Sequence, residues 1–198
     1  MKHSAIPNCQ NPSQPAPIVV VAGAASNTGK ATTARNTMQH LKSRGLRVAG
    51  AKLSGVALWG ELRCLSATGA DLVLAFADGW LPTTCGNPTE VVEVSLGILH
   101  KLNKINPDVI VVEFGSMLCP LYLQRAAWGL KRLMEEHKID STLITGTVVN
   151  NITYVAYIEK ELDLPVESNI GVMSKTFQLI EMRLNDIESK RAKTDTMM

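Results

Sequence analysis

The stretch that decides the fold reads Ile18-Val19-Val20-Val21-Ala22-Gly23-Ala24-Ala25-Ser26-Asn27-Thr28-Gly29-Lys30-Ala31-Thr32-Thr33. Its first five residues are apolar and mostly β-branched, the composition of a buried strand. A loop bounded by Gly23 and Gly29 follows. From Lys30 to Arg44 the apolar spacing is helical, and it stops at Gly45, a residue suited to ending a helix. Working outward, the alternation recurs. Leu46 to Ala51 reads as a second strand. Pro88 to Lys104 reads as a helix, with Val91, Val94, Ile98, Leu99 and Leu102 on one face. Asp108 to Glu113 reads as a buried strand, Leu121 to His137 as a helix and Ser141 to Val149 as a strand. Ile152 to Leu162 suits a helix, Val166 to Met173 a strand and Lys175 to Lys193 a final amphipathic helix. Strands that are apolar throughout and alternate with helices imply a mostly parallel sheet covered on both faces. The expected class is α/β: a doubly wound, three-layer α/β/α sheet.

The chain has 198 residues, 45% hydrophobic and 19% charged, which suits one folded domain. That domain is expected over 18–193. Residues 1–17, rich in Pro, Asn, Ser and Gln, read as a flexible N-terminal tail, and 194–198 as a short C-terminal one. Twenty basic against 18 acidic residues leave a net charge of +2. That balance gives no electrostatic case for nucleic acid or for an anionic membrane surface. An aromatic content of 5% weakens any base-stacking role. Cys9, Cys64, Cys85 and Cys119 are scattered, with no CxxC pair, so neither a zinc site nor a disulfide scaffold is expected. The first residues lack the apolar core of a secretory signal, and a cytoplasmic location is the expectation. The stripe Phe177, Ile180, Leu184 and Ile187 reads as core packing, with a homodimer seam as the second reading.

The loop at Gly23 carries the chemistry. Glycines let the backbone curl so that successive N–H groups point inward at phosphate oxygens. A helix beginning near Lys30 adds its positive N-terminal end, and Lys30 adds a mobile ammonium. Gly23, Ser26, Asn27, Thr28, Gly29, Lys30, Ala31 and Thr32 are therefore the candidate phosphate-binding residues. After the lysine such loops usually place Ser or Thr, whose hydroxyl ligates Mg²⁺. Here Ala31 stands there, with no ligand atom, and Thr32 or Thr33 is left to contact the phosphate.

Three further segments stand in order behind this loop. Gly50-Ala51-Lys52-Leu53-Ser54-Gly55 lies at the end of strand two. Val112-Glu113-Phe114-Gly115-Ser116 follows strand three, with Pro120-Leu121 behind it. Gly146-Thr147-Val148-Val149-Asn150-Asn151 follows strand four, ahead of Leu164-Pro165-Val166. Together with the loop, these resemble dethiobiotin synthetase and its relatives among the cobyrinate amidase-type, SIMIBI-like P-loop enzymes, over residues 18–173. The resemblance implies a P-loop NTPase-like fold. It implies that Lys30 holds the phosphates and that Lys52 stabilises charge on the transferred phosphoryl group or on the carboxylate or carbamate being activated. It implies Glu113 as a Mg²⁺ ligand, with Thr32 and Asp71 as further candidates, and Asn150 as the reader of the purine base. Ala31, the lack of an acidic residue inside the loop, and Phe114 in place of a glycine depart from the family pattern. Asp78-Gly79-Trp80-Leu81-Pro82-Thr83-Thr84 has the turn chemistry and polarity of a substrate loop.

The function these residues imply is that of an ATP-binding enzyme, with GTP as the other candidate nucleotide. With Mg²⁺ it would transfer the γ-phosphoryl group to a small carboxylate- or carbamate-type acceptor. Lys30, Lys52 and Glu113 would be its catalytic residues. The alternative is a non-catalytic, regulatory nucleotide-binding protein whose Mg²⁺ site is degenerate at Ala31.

Overall fold

The structure is a computed structural model. It describes residues 16–21, 29–55 and 59–114, and beyond them 144–145, 156, 159–160, 163, 166–167 and 174–196. The chain divides into two units, Met1–Cys119 and Pro120–Met198.

The first unit runs β1 (Ile18–Val21), α1 (Lys30–Ser43), β2 (Val48–Lys52), α2 (Trp59–Ser66) and β3 (Leu72–Ala75). A 3₁₀ turn (Phe76–Gly79), α3 (Pro88–Asn103) and β4 (Val109–Glu113) complete it. The four strands form one parallel sheet in the order β1-β4-β2-β3. Its register sets Val21 and Lys52 on either side of Glu113, and Ala75 beside Lys52. The C-terminal ends of all four strands therefore lie in one row.

Side chains alternate between the faces of a strand, and the packing follows that rule. Ala49, Ala51, Ile110 and Val112 pack with Val94, Ile98 and Leu102 of α3, and with Phe76 and Leu81. Gly50 points to the other face, where Met38 of α1 lies so close that a Cβ on Gly50 would stand 2.6 Å from its Cε. Helices thus cover both faces, and the fold is the three-layer α/β/α arrangement expected from the alternating strands. Met38, Leu41, Ile98 and Leu102 are fully buried, and each contributes roughly 1.5–3 kcal/mol of transfer free energy.

The helix ends follow local chemistry. α1 closes with the paired bonds of a Schellman motif: Gly45 N–H to Lys42 O at 2.9 Å and Leu46 N–H to Leu41 O at 3.3 Å. Gly45 sits at φ 82, where a side chain would be strained. α3 opens with the Asn87 side chain accepting from Thr89 N–H at 3.0 Å, and with Pro88 in its first turn.

Two elements lie where the periodicity shows none. β3 is only four residues long, and α2 buries only Leu65, so neither leaves a strong apolar pattern. The N-terminal boundary also moves. Ala16 and Pro17, assigned to the tail by composition, join the fold: Ala16 is buried and its N–H donates to Asn103 Oδ1 at 3.0 Å. Pro17 O accepts from Ile110 N–H at 2.9 Å.

In the second unit β5 (Ile144–Thr145) and β6 (Val166–Glu167) pair in parallel, and α4 (Ser174–Thr196) follows. The buried Glu167 carboxylate caps α4. It accepts from Lys175 N–H at 3.1 Å, from Thr176 N–H at 2.9 Å and from the Thr176 hydroxyl. Phe177, Ile180, Leu184 and Ile187 are half-buried along α4. The helix expected at Leu121–His137 lies outside the described residues, as does most of the expected elements at 141–149, 152–162 and 166–173. No described helix is long and apolar enough to cross a membrane.

Candidate functional site

The row of strand ends places charge where an apolar sheet stops. Lys52 is the last residue of β2 and Glu113 the last of β4, opposite each other in register. By the alternation that turns Gly50 toward α1, both side chains lie on the α1 face. Both are buried, 4% and 3% exposed. Lys52 Nζ lies 3.3 Å from Glu113 Oε1 and 2.5 Å from Glu61 Oε2 on α2, so one ammonium is held between two carboxylates. Glu113 Oε2 is buried and has no hydrogen-bond partner among the described residues. An unmatched carboxylate oxygen in a dry setting is costly unless something else satisfies it.

α1 brings the second lysine. Gly29 caps the helix at φ 87, a left-handed conformation that glycine adopts at little cost, and Lys30 begins the first turn. Burial holds the Lys30 ammonium below its ordinary pKa. The carboxylates of Glu113 and Glu61 pull it back up, and the Lys52 charge pushes it further down. All three neighbours act on Lys30, so Lys30, Lys52, Glu61 and Glu113 form one cluster of two positive and two negative charges. Beside it opens the N-terminus of a 14-residue helix, which has no side-chain cap, with its positive end.

The other expected site residues divide. Gly23, Ser26, Asn27, Thr28 and Asn150 lie outside the described residues. Ala31 is half-buried in the first turn of α1 and Thr32 is exposed, whereas Thr33 is buried and its N–H donates to Gly29 O at 2.8 Å. Asp71 does not join the cluster. It precedes β3 at the opposite end of the sheet, where Oδ2 accepts from Lys42 Nζ at 2.9 Å and from Val48 N–H at 2.7 Å. Val48 begins β2 and Lys52 ends it, so a strand's length separates Asp71 from the other candidates, and its carboxylate is engaged as a strand-end cap. The Lys42 ammonium first, and the Val48 N–H after it, hold the Asp71 carboxyl below its usual value.

The Asp78–Thr84 segment does reach the site's edge. Asp78 Oδ2 accepts from Ala75 N–H at 2.7 Å, and Thr84 Oγ1 accepts from Gly55 N–H at 3.1 Å, which ties the segment to the chain just beyond Lys52. Between them Trp80 adopts φ 61 and is half exposed. A bulky residue held in that region costs on the order of 1 kcal/mol.

Glu61 is the member of the cluster that sequence reading missed. Its link to Lys52 spans nine residues, and no spacing rule ties a strand-end lysine to the next helix. Leu58, Leu62 and Leu65, at helical spacing around it, are the faint signal that could have revealed α2.

The cluster can receive an anion at Lys30, Lys52 and the α1 N-terminus. It can receive a cation at Glu113 Oε2, a hard oxygen suited to Mg²⁺. Among the described residues no group of three or more His, Cys, Asp or Glu side chains stands ready for a metal. A bound Mg²⁺ would therefore take its other ligands from phosphate and water, as that ion commonly does.

No family model and no curated protein matches this sequence. Solved structures with a similar chain trace include the signal recognition particle 54 kDa protein of Aeropyrum pernix K1 in complex with GDP. It is 15% identical over 80% of this chain and 36% of its own, with a TM-score of 0.47. The signal recognition particle receptor FtsY of Elizabethkingia anophelis in complex with GDP is 17% identical, over 82% and 51%, with a TM-score of 0.42. A ParA family ATPase of Chlorobium tepidum TLS is 14% identical, over 76% and 82%, with a TM-score of 0.43. The chain thus spans about a third to a half of the length of the first two. The fold assignment rests on the observed sheet and its two helical layers.

Proposed function

We propose that the protein binds a nucleoside triphosphate, ATP with GTP as the other candidate, through the Gly23–Lys30 loop and the N-terminus of α1. In this reading it transfers the γ-phosphoryl group to a small carboxylate- or carbamate-type acceptor. The observation that carries the reading is the meeting of Lys30, Lys52 and Glu113 at the C-terminal edge of a parallel sheet, where α/β proteins bind their ligands. Lys30 and the helix N-terminus bind the phosphates. Lys52 holds the negative charge that builds on the transferred group or on the acceptor. Glu113 would hold Mg²⁺ through Oε2, and the ion would neutralise phosphate charge there. The Asp78–Thr84 segment is the candidate acceptor loop.

Ala31 supports a second reading, nucleotide binding without turnover. Titration with ATP and GTP, each with and without Mg²⁺, tests the first step, and phosphate release separates the two readings. Lys30→Ala is expected to weaken nucleotide binding about tenfold or more, the worth of a charge-assisted contact. A wild-type protein that binds neither nucleotide under any of these conditions rules both readings out.

A further inference from the structure

Lys52 is better satisfied than a phosphate-seeking lysine needs to be. Its nearer carboxylate is Glu61, at 2.5 Å, and not its buried strand neighbour Glu113, at 3.3 Å. The two carboxylates differ in setting. The Glu113 side chain is 4% exposed and fixed at a strand end, while the Glu61 side chain is 35% exposed and rides on α2. Of the eight residues of α2 only Leu65 is buried, so little packing opposes a shift of the helix or a swing of the glutamate.

We propose that Glu61 is an exchangeable internal anion on Lys52. It occupies the place of a ligand's anionic oxygen and leaves when that oxygen arrives. The exchange costs little, because a carboxylate already one-third exposed returns to water while the ammonium gains an equivalent partner. Charge supports it. With Glu61 in place Lys30, Lys52, Glu61 and Glu113 sum to zero, and with Glu61 withdrawn the cluster carries one net positive charge for an incoming phosphate or carboxylate. Glu61 therefore lowers affinity for any anion at Lys52 and couples anion binding to movement of α2. The ligand class is an oxyanion, the terminal phosphate of a nucleotide or the carboxylate of an acceptor. The proposal rests on the phosphate-binding reading only for which of these arrives first.

Glu61→Gln keeps the shape and removes the charge, at a position exposed enough to tolerate it. Binding of inorganic tripolyphosphate, of a non-hydrolysable ATP analogue and of a simple dicarboxylate such as succinate is measured by calorimetry on wild type and variant, alongside urea unfolding. The expected result is about three- to tenfold tighter binding of at least one of these anions by the variant, with equal or slightly lower stability. A purely structural Glu61 would give lower stability with unchanged or weaker binding of all three, and that result overturns the proposal. Tighter tripolyphosphate binding with no analogue binding would sustain the exchange and remove the nucleotide reading. Equal analogue binding by both proteins, with no gain for the other anions, would do the reverse. Failure of both proteins to bind any of the three removes both.

Discussion

Replacing Lys52 by methionine tests whether its pair with the buried Glu113 or its pair with the partly exposed Glu61 holds the strand ends together. The side chain keeps its length and loses its charge. Glu113, 3% exposed, is then left in a buried setting without its counter-charge, with Oε2 already unpartnered among the described residues. Removing one partner of a buried pair costs about 3–5 kcal/mol. Losing the contact to Glu61, whose side chain is 35% exposed, adds at most about 1 kcal/mol. Glu61→Gln alone should therefore cost about 1 kcal/mol or less. With a urea dependence of about 2 kcal/mol/M, Lys52→Met should lower the unfolding midpoint by about 2 M, and Glu61→Gln by about 0.5 M or less. Because total stability is about 5–15 kcal/mol, the single variant could fail to fold. Lys52→Met/Glu113→Gln then serves as the control. With both charges gone it should recover all but about 1–2 kcal/mol of the loss. Tryptophan fluorescence and far-ultraviolet circular dichroism, followed in parallel, read both midpoints. Equal losses for Lys52→Met and Glu61→Gln, or no recovery in the double variant, would refute the assignment of stability to the Lys52–Glu113 pair.

Three other outcomes follow from the same coordinates. Gly79→Ala would press a Cβ into the stiff, buried Val94 side chain, whereas on Gly50 it would meet the flexible end of Met38. Gly79→Ala should thus cost about 2–3 kcal/mol and Gly50→Ala about 1 kcal/mol in urea unfolding, and the reverse order would contradict the packing. Asp71 has its folded pKa below its unfolded value, so its contribution is present above about pH 4 and is lost as pH falls through the folded value. Asp71→Asn should cost about 1 kcal/mol or less at pH 7 and close to nothing near pH 2, and a cost that grows toward acid would show the sign to be wrong. Lys30, held below the ordinary lysine value chiefly by burial, should acylate at lower pH than a free lysine side chain. Mass spectrometry across a pH series reads the difference, and matching profiles would deny the burial effect.

Much of the first unit is legible in the chain. β1, β2 and β4 announce themselves as apolar, β-branched runs, and α1 by its helical spacing and the glycine that ends it. α3 shows an apolar face behind Pro88. For β2, β4, α1 and α3 those signals work because each element buries a whole face, so periodicity and burial coincide; β1, with Ile18 and Val20 exposed, is legible by its β-branched composition alone. They fail for α2 and β3, where one buried leucine and four residues carry too little pattern. Lys52 and Glu113 are picked out by the family resemblance, and the structure brings them together because parallel strands align their ends in space. Asp71 could not be excluded the same way: nothing in the sequence says that β3 starts beside it and so puts it at the far edge. Glu61 is invisible because no spacing rule ties a strand-end lysine to a residue of the helix that follows it.

The strand order has a consequence for how the site comes into being. β4 lies between β1 and β2, yet it follows both in the chain, and Ile18 meets Ile110 across 92 residues. Among the described residues β1 has no other sheet neighbour. During synthesis Lys30 and Lys52 emerge well before the strand that joins β1 to β2 and supplies Glu113. A chain that ends before Val109 leaves Lys52 without its buried counter-charge. The long closure makes insertion of β4 a late and slow event, so the charge cluster should become competent abruptly, at the moment the sheet closes.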